Sequence, residues 1–305
     1  MLGLLPGVAL AALALGLPVD ARRVAITIDD LPFVSANALP AAEVRVRTER
    51  LLEHLSRRAV PAVGFVNEGK LYEGESEDPA RVALLALWLE AGMELGNHSY
   101  SHFDLHGTPL SEFQEDVLRG EIVTRRLLAV RGGVPRYFRH PFLHTGRELE
   151  SKAGLESFLS ERGYRVAPVT IDNFDYLFAR AYDAAADGEK GRVLVAYLRY
   201  MTAVVEFYEG QSRAILGYEL PQILLLHASS LNADGLGRLF DALVERGYNF
   251  VSLEEALRDP AFSLPDTYVG PAGITWLHRW AMTRGVPKST FAGEPEPGAF
   301  LSELK

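Results

Sequence analysis

The sequence predicts an α/β protein built on a parallel barrel or a barrel-like sheet, and three observations carry that expectation. Short apolar runs alternate with longer amphipathic stretches along the chain, the pattern of parallel strands joined by helical crossovers. Several of the amphipathic stretches stop at a Gly, the residue that most easily takes the left-handed conformation ending a helix. Finally, Asp and His groups follow the apolar runs rather than interrupting them, and the C-terminal rim of its strands is where such a barrel collects its chemistry.

Taken in order, residues 24–28 are the first apolar run and a helical stretch follows over 41–58. Strand 62–66 leads to a helix over 81–91, stopped at Gly92, and strand 93–96 to a helix over 111–131, stopped at Gly132. Strand 136–139 precedes a helix over 147–162, stopped at Gly163; strand 165–171 is the fifth. Residues 191–210, rich in aromatic side chains from Val193 to Tyr208, read as a long inserted helix whose apolar residues form a packing face, with a wall of the cleft as the alternative. Strand 222–226, a helix over 235–246 stopped at Gly247, and strand 250–253 complete about seven strands. Beyond Pro260 the chain is Pro-rich, then offers a short helix with Trp276 and Trp280 that is expected to cover the barrel, and 293–305 reads as a loose tail.

Forty acidic against 31 basic residues, a net charge of −9, and the lack of any basic run argue against a nucleic-acid partner. A hydrophobic content of 48% suits one large domain with a sizeable core. Zero cysteines exclude disulfides and thiolate ligands. Residues 1–19 are almost wholly apolar and uncharged, and Val19-Asp20-Ala21 has the small residues a signal peptidase needs. The expected organisation is a signal peptide over 1–21, a catalytic domain over 22–260 and a C-terminal covering segment over 261–305, in an exported protein of the periplasm or extracellular space. Pro6, Pro18 and the missing N-terminal Lys or Arg leave a signal anchor as the alternative, and the segment is too short and broken for a stable membrane span.

The first apolar run ends in Ile26-Thr27-Ile28-Asp29-Asp30-Leu31-Pro32, and His98-Ser99-Tyr100-Ser101-His102 follows the third. Together they offer three ligands for one divalent ion and one carboxylate beside it, the minimal kit for metal-assisted hydrolysis. Spacing alone does not choose the ligands, because His102 with His106 and His140 with His144 are also four apart. Three more groups stand at later strand ends: Phe138-Arg139-His140-Pro141-Phe142, Thr170-Ile171-Asp172-Asn173-Phe174-Asp175-Tyr176, and Leu224-Leu225-Leu226-His227.

In this order the five groups resemble the motifs of the polysaccharide deacetylase family, the NodB-homology group also called carbohydrate esterase family 4. The resemblance runs from about Val24 to Val251 and implies a distorted (β/α)7 barrel. It further implies that Asp30, His98 and His102 bind the metal, zinc for choice with cobalt or another divalent ion possible, that Asp29 is the general base and that His227 is the general acid. Arg139 would hold Asp29, and Asp175 would orient His227. Pro141, Phe142, Tyr176 and Leu31 would meet a carbohydrate substrate, from which acetyl groups, N-acetyl by preference, are removed. Leu31 replaces the family's Gly and Tyr176 its Trp, changes that bear on substrate fit. An amidohydrolase of a small non-sugar C–N bond and a non-catalytic carbohydrate-binding protein are the alternatives.

Overall fold

The computed structural model describes residues 22–304; the expected signal peptide over 1–21 lies outside them. Seven strands make the sheet: β1 (Arg22–Leu31), β2 (Ala62–Val66), β3 (Glu94–Asn97), β4 (Tyr137–Phe138), β5 (Arg165–Val166), β6 (Gln222–His227) and β7 (Tyr248–Phe250). Their order is β5-β4-β3-β2-β1-β6, with β7 pairing the start of β1, and every pairing is parallel. The segment after β5 swings across to bridge the far edge, where Ile171 pairs Leu224, so the sheet curls almost into a closed barrel. This is the parallel α/β barrel that the alternation of apolar and amphipathic runs predicts.

Crossover helices bury apolar stripes against the outside of the sheet. They are α1 (Ala41–Arg57), α2 (Pro79–Glu90), α3 (Leu110–Arg119), α4 (Ile122–Ala129), α5 (Leu149–Glu161), α6 (Asp175–Ala184), α7 (Lys190–Leu216) and α8 (Ser230–Glu245). The fully buried β1 side chains Val24, Ala25 and Ile28 sit at the centre. The long α7 buries Tyr197, Tyr200, Met201, Val204, Val205 and Tyr208, and this face packs on α6 and α8; it is a packing face, as its periodicity suggests.

Several boundaries differ from the sequence expectation. The helix expected over 111–131 is two, α3 and α4, broken at Gly120, where a side chain would collide with the Ser99 backbone. The helix expected from 235 starts at Ser230, capped by the Ser229 hydroxyl; Gly235 lies inside it because Leu194 of α7 packs too close for a Cβ. Strand 250–253 is instead Tyr248–Phe250, since Val251 bonds back to β1 and Ser252 caps a new helical turn, α9 (Leu253–Ala256). The loose tail is not loose: α11 (Pro297–Leu301) packs on α7, with Phe300 edge-on to Tyr200. The Trp helix, α10 (Trp276–Thr283), buries both tryptophans.

Candidate active site

Successive side chains on a strand point to opposite faces, yet Asp29 and Asp30 line one cavity of about 470 Å³ at the C-terminal rim of the sheet. The backbone resolves this. The β1/β2 register slips between Ile28 and Leu31, and Asp30 takes the left-handed conformation, φ 70°, which Asp tolerates better than most residues. Asp29 stays in register directly opposite His227 of β6.

His98 leaves β3 and His102 lies in the loop that follows. The turn needs left-handed backbone at Ser99 and His102, and four buried polar side chains hold it. The Asn97 amide oxygen accepts from the Ser99 N–H (2.7 Å), Asn67 donates to the His98 carbonyl (2.6 Å), Asp116 accepts from the Tyr100 and Ser101 N–H groups, and the Ser99 hydroxyl accepts from the His102 N–H. Nδ1 of His98 donates to the Arg139 carbonyl (2.8 Å), which fixes the tautomer and leaves Nε2 as the lone-pair atom facing the carboxylates. One donor atom each from Asp30, His98 and His102 lie within 4.8 Å of one another. Burial lowers the pKa of both imidazoles to about 4, for His102 with help from His98, so both are neutral ligands at neutral pH. An oxygen with two imidazole nitrogens suits zinc, cobalt or a similar divalent ion; the donor set fits.

Across the cavity, Asp175 at the start of α6 receives Nδ1 of His227 on one carboxylate oxygen (2.6 Å) and the His227 and Asn232 N–H groups on the other (2.9 and 2.8 Å). Burial alone would lower the His227 imidazolium, but the Asp175 carboxylate outweighs it and raises the pKa to about 10. Nε2 therefore carries a proton through the neutral range.

Arg139, fully buried, approaches Asp29 at 4.0 Å through Nε and donates to the Thr27 hydroxyl at 2.8 Å. Burial raises the Asp29 carboxyl above its ordinary value and prevails over Arg139, His227 and His102, which pull it down. Asp29 is thus more basic than a solvated carboxylate. Asp30 differs: burial would raise it too, but Lys70, then His227 and His102, hold it well below the usual range.

The four expected substrate contacts divide. Phe142, in left-handed backbone and more than half exposed, and Tyr176, edge-on to His227, both line the cavity. Leu31 does not: its side chain is wholly buried, filling the space beside Gly64 and Trp88. The left-handed position demanded of the loop falls on Asp30 rather than on residue 31, so a Leu is accommodated without strain and joins the core. Pro141 is also buried and outside the cavity lining, and it acts by turning the chain toward Phe142.

Sequence reasoning missed the supports. Asn173 spans the Leu225 carbonyl and the Asp175 N–H; Asn232 links Asp175, the His227 carbonyl and the Tyr197 hydroxyl. Asp172 also faces the cavity, and burial pushes it up to about 7. Arg279 of α10 donates to the Leu143 carbonyl (2.6 Å) and the Thr145 hydroxyl (2.7 Å), holding the Phe142 loop. Of the remaining histidines, His140 lines the cavity, while His106 and His144 stack on each other at 3.8 Å beside Asp104. Lys70, 3.3 Å from Asp30, had no sequence signal.

Residues 16–157 match the family model described as polysaccharide deacetylase. A peptidoglycan-N-acetylglucosamine deacetylase of Bacillus cereus is 26% identical over 159 residues, 52% of this chain and 48% of that protein; the chain spans about half the length of this curated relative. Among solved structures, a peptidoglycan N-acetylglucosamine deacetylase in complex with an N-hydroxybenzamide compound aligns with TM-score 0.50 at 20% identity, over 78% of this chain and 89% of that one. A mutant of a carbohydrate esterase family 4 pseudoenzyme from Bacillus anthracis aligns equally well, TM-score 0.50 at 17% identity over 78% and 68% of the two chains. These likenesses speak to the fold: a distorted (β/α)7 barrel of the NodB-homology type. That a pseudoenzyme shares it means that activity must be argued from the side chains.

Proposed function

We propose that this chain, whose residues 16–157 match the polysaccharide deacetylase family model, is a metal-dependent hydrolase removing acetyl groups, N-acetyl by preference, from a polysaccharide or oligosaccharide. The observation that carries this is one cavity lined by Asp29, by the Asp30–His98–His102 donor cluster and by His227 with its Asp175 partner. A carbohydrate-binding protein would have no use for all three.

Asp30, His98 and His102 would hold the ion, which supplies Lewis-acid polarisation of the scissile carbonyl and acidifies a water. Asp29, made more basic by burial, takes the proton as the water oxygen forms its bond to the carbonyl carbon. Arg139 directs Asp29 and offsets its charge. As the C–N bond breaks, Nε2 of His227 donates its proton to the departing nitrogen, because an amide anion is too poor a leaving group to go unaided. Asp175 keeps the imidazole charged and turned toward the cavity. The products are acetate and a free amino sugar. Phe142 and Tyr176 flank the opening as aromatic surfaces for a sugar ring. The apolar, uncharged composition of residues 1–19 and the activity named for the Bacillus relative support a substrate outside the cytoplasm.

A second reading, hydrolysis of a small non-sugar amide, is favoured by the apolar side of the cavity, formed by Val34, Phe142, Phe174 and Tyr176. Acetate release from chitooligosaccharides, peptidoglycan, acetylated xylan and a set of small N-acetylated non-sugar amides, each with a chelated control, separates the two. Chelator-sensitive release from any of the first three supports the first reading; release only from small non-sugar amides replaces it with the second.

A further inference from the structure

Lys70 stands beside the candidate metal centre with no part in the chemistry above. Its ammonium lies 3.3 Å from Oδ1 of Asp30 and 3.3 Å from the Asp30 carbonyl. Oδ1 is also the atom that faces Nε2 of His102 at 3.8 Å. The lysine is not a chance surface contact, because both side chains are about four-fifths buried and the turn that carries it is fastened to the histidine loop. The Glu68 N–H donates to the Ser99 carbonyl (3.2 Å), the Gly69 N–H to the Tyr100 carbonyl (3.0 Å), and Gly69 sits so close to Tyr100 that any side chain would collide with its carbonyl. The Glu68 carboxylate, wholly buried, accepts from the Val123 and Thr124 N–H groups at the start of α4 (2.9 and 2.6 Å). Arg81 binds the Lys70 carbonyl from the other side.

We infer that Lys70 is a fixed internal cation that shares the metal-binding oxygen of Asp30 and thereby sets how weakly the centre holds a divalent ion. The inference rests on the metal assignment to Asp30, His98 and His102. Two features give it physical content. The carbonyl contact anchors the ammonium to the Asp30 backbone, so the lysine steadies the left-handed turn while its charge opposes a second cation at the same oxygen. The repulsion acts at short range in a partly buried site, where screening by water and salt is incomplete.

The test is titration calorimetry of the full-length protein with Zn2+ and Co2+, for the parent, Lys70→Met and Lys70→Arg. Lys70→Met is expected to bind both ions about tenfold more tightly or better, and Lys70→Arg, which keeps the charge, to stay close to the parent. Lys70→Gln repeats the measurement should Lys70→Met lose cooperative thermal unfolding. Equal or weaker binding by a folded, uncharged variant overturns the inference and leaves the metal assignment intact. If none of the proteins binds either ion, the assignment itself fails and the inference with it.

Discussion

At the scale of single residues, the site works by making neighbouring groups unlike. Two adjacent carboxylates are driven apart, Asp29 upward by burial and Asp30 downward by Lys70 and the histidines against the same burial effect; separated pKa values are the usual sign of divided acid and base roles. His227 is the clearest case. Its proton is held to about 10 in the folded chain against an ordinary 6.5. Stability from the Asp175–His227 pair is therefore complete below pH 6.5 and lost as pH rises through about 10. Thermal melts of the parent and His227→Gln should show a stability difference that narrows over this window. In kcat/KM profiles, Asp175→Asn should bring the alkaline limb down from near pH 10 toward 6.5; an unmoved limb would mean that another group supplies the proton. Asp29, Asp30, His98 and His227 were legible because they stand where apolar runs end, whereas Lys70 follows no such run. Leu31 was misjudged because a sequence does not say which residue of a turn takes the left-handed conformation, and here it is Asp30.

At the scale of elements, the loop between β3 and α3 is the part under most constraint. Left-handed Ser99 and His102 are held in place by Asn97, Asn67 and Asp116, and the break between α3 and α4 exists because Gly120 lies against this loop. Gly120→Ala should cost about 1–3 kcal/mol of stability and weaken divalent-ion binding, read by denaturant melts and calorimetry together. An alanine tolerated in both would show that the loop does not depend on the close approach. On the other side of the cavity, Asn232→Ala removes the donor to Asp175 and should lower kcat more than it raises KM, because the residue reaches the chemistry only through Asp175 and His227. Neither residue announced itself. Helical periodicity predicts one helix over 111–131 because a glycine's crowding comes from a distant segment, and Asn232 falls before the helix expected over 235–246. Contacts between residues far apart in sequence leave no local period to detect.

At the scale of the whole molecule, the chain places its motif residues with little freedom: five strand ends meet at one rim, and α7, α10 and α11 brace the outer side. The parallel architecture was readable from the alternation of runs, whereas the packed tail and α6 were not, since short helices become stable mainly through the surfaces they dock on. Among the described residues no helix is long and apolar enough to cross a membrane. A cluster preformed in the fold binds the native state alone, so a divalent ion at a hundred times its Kd should stabilise the protein by about 2.7 kcal/mol and raise Tm by several degrees. Replacing both His98 and His102 by Ala should abolish that rise, and persistence of the full shift would assign the ion to other side chains, such as Asp104, His106 and His144.

The measurement that bears most directly on the central claim is acetate release by Asp29→Asn beside the parent, on the same substrate and with bound metal quantified in both. A variant that holds the parent's metal content while losing at least about a hundredfold in rate is the result expected of a general base standing next to a metal ligand. Substantial turnover by the metal-loaded variant would contradict it, because the water would then be losing its proton to some other group.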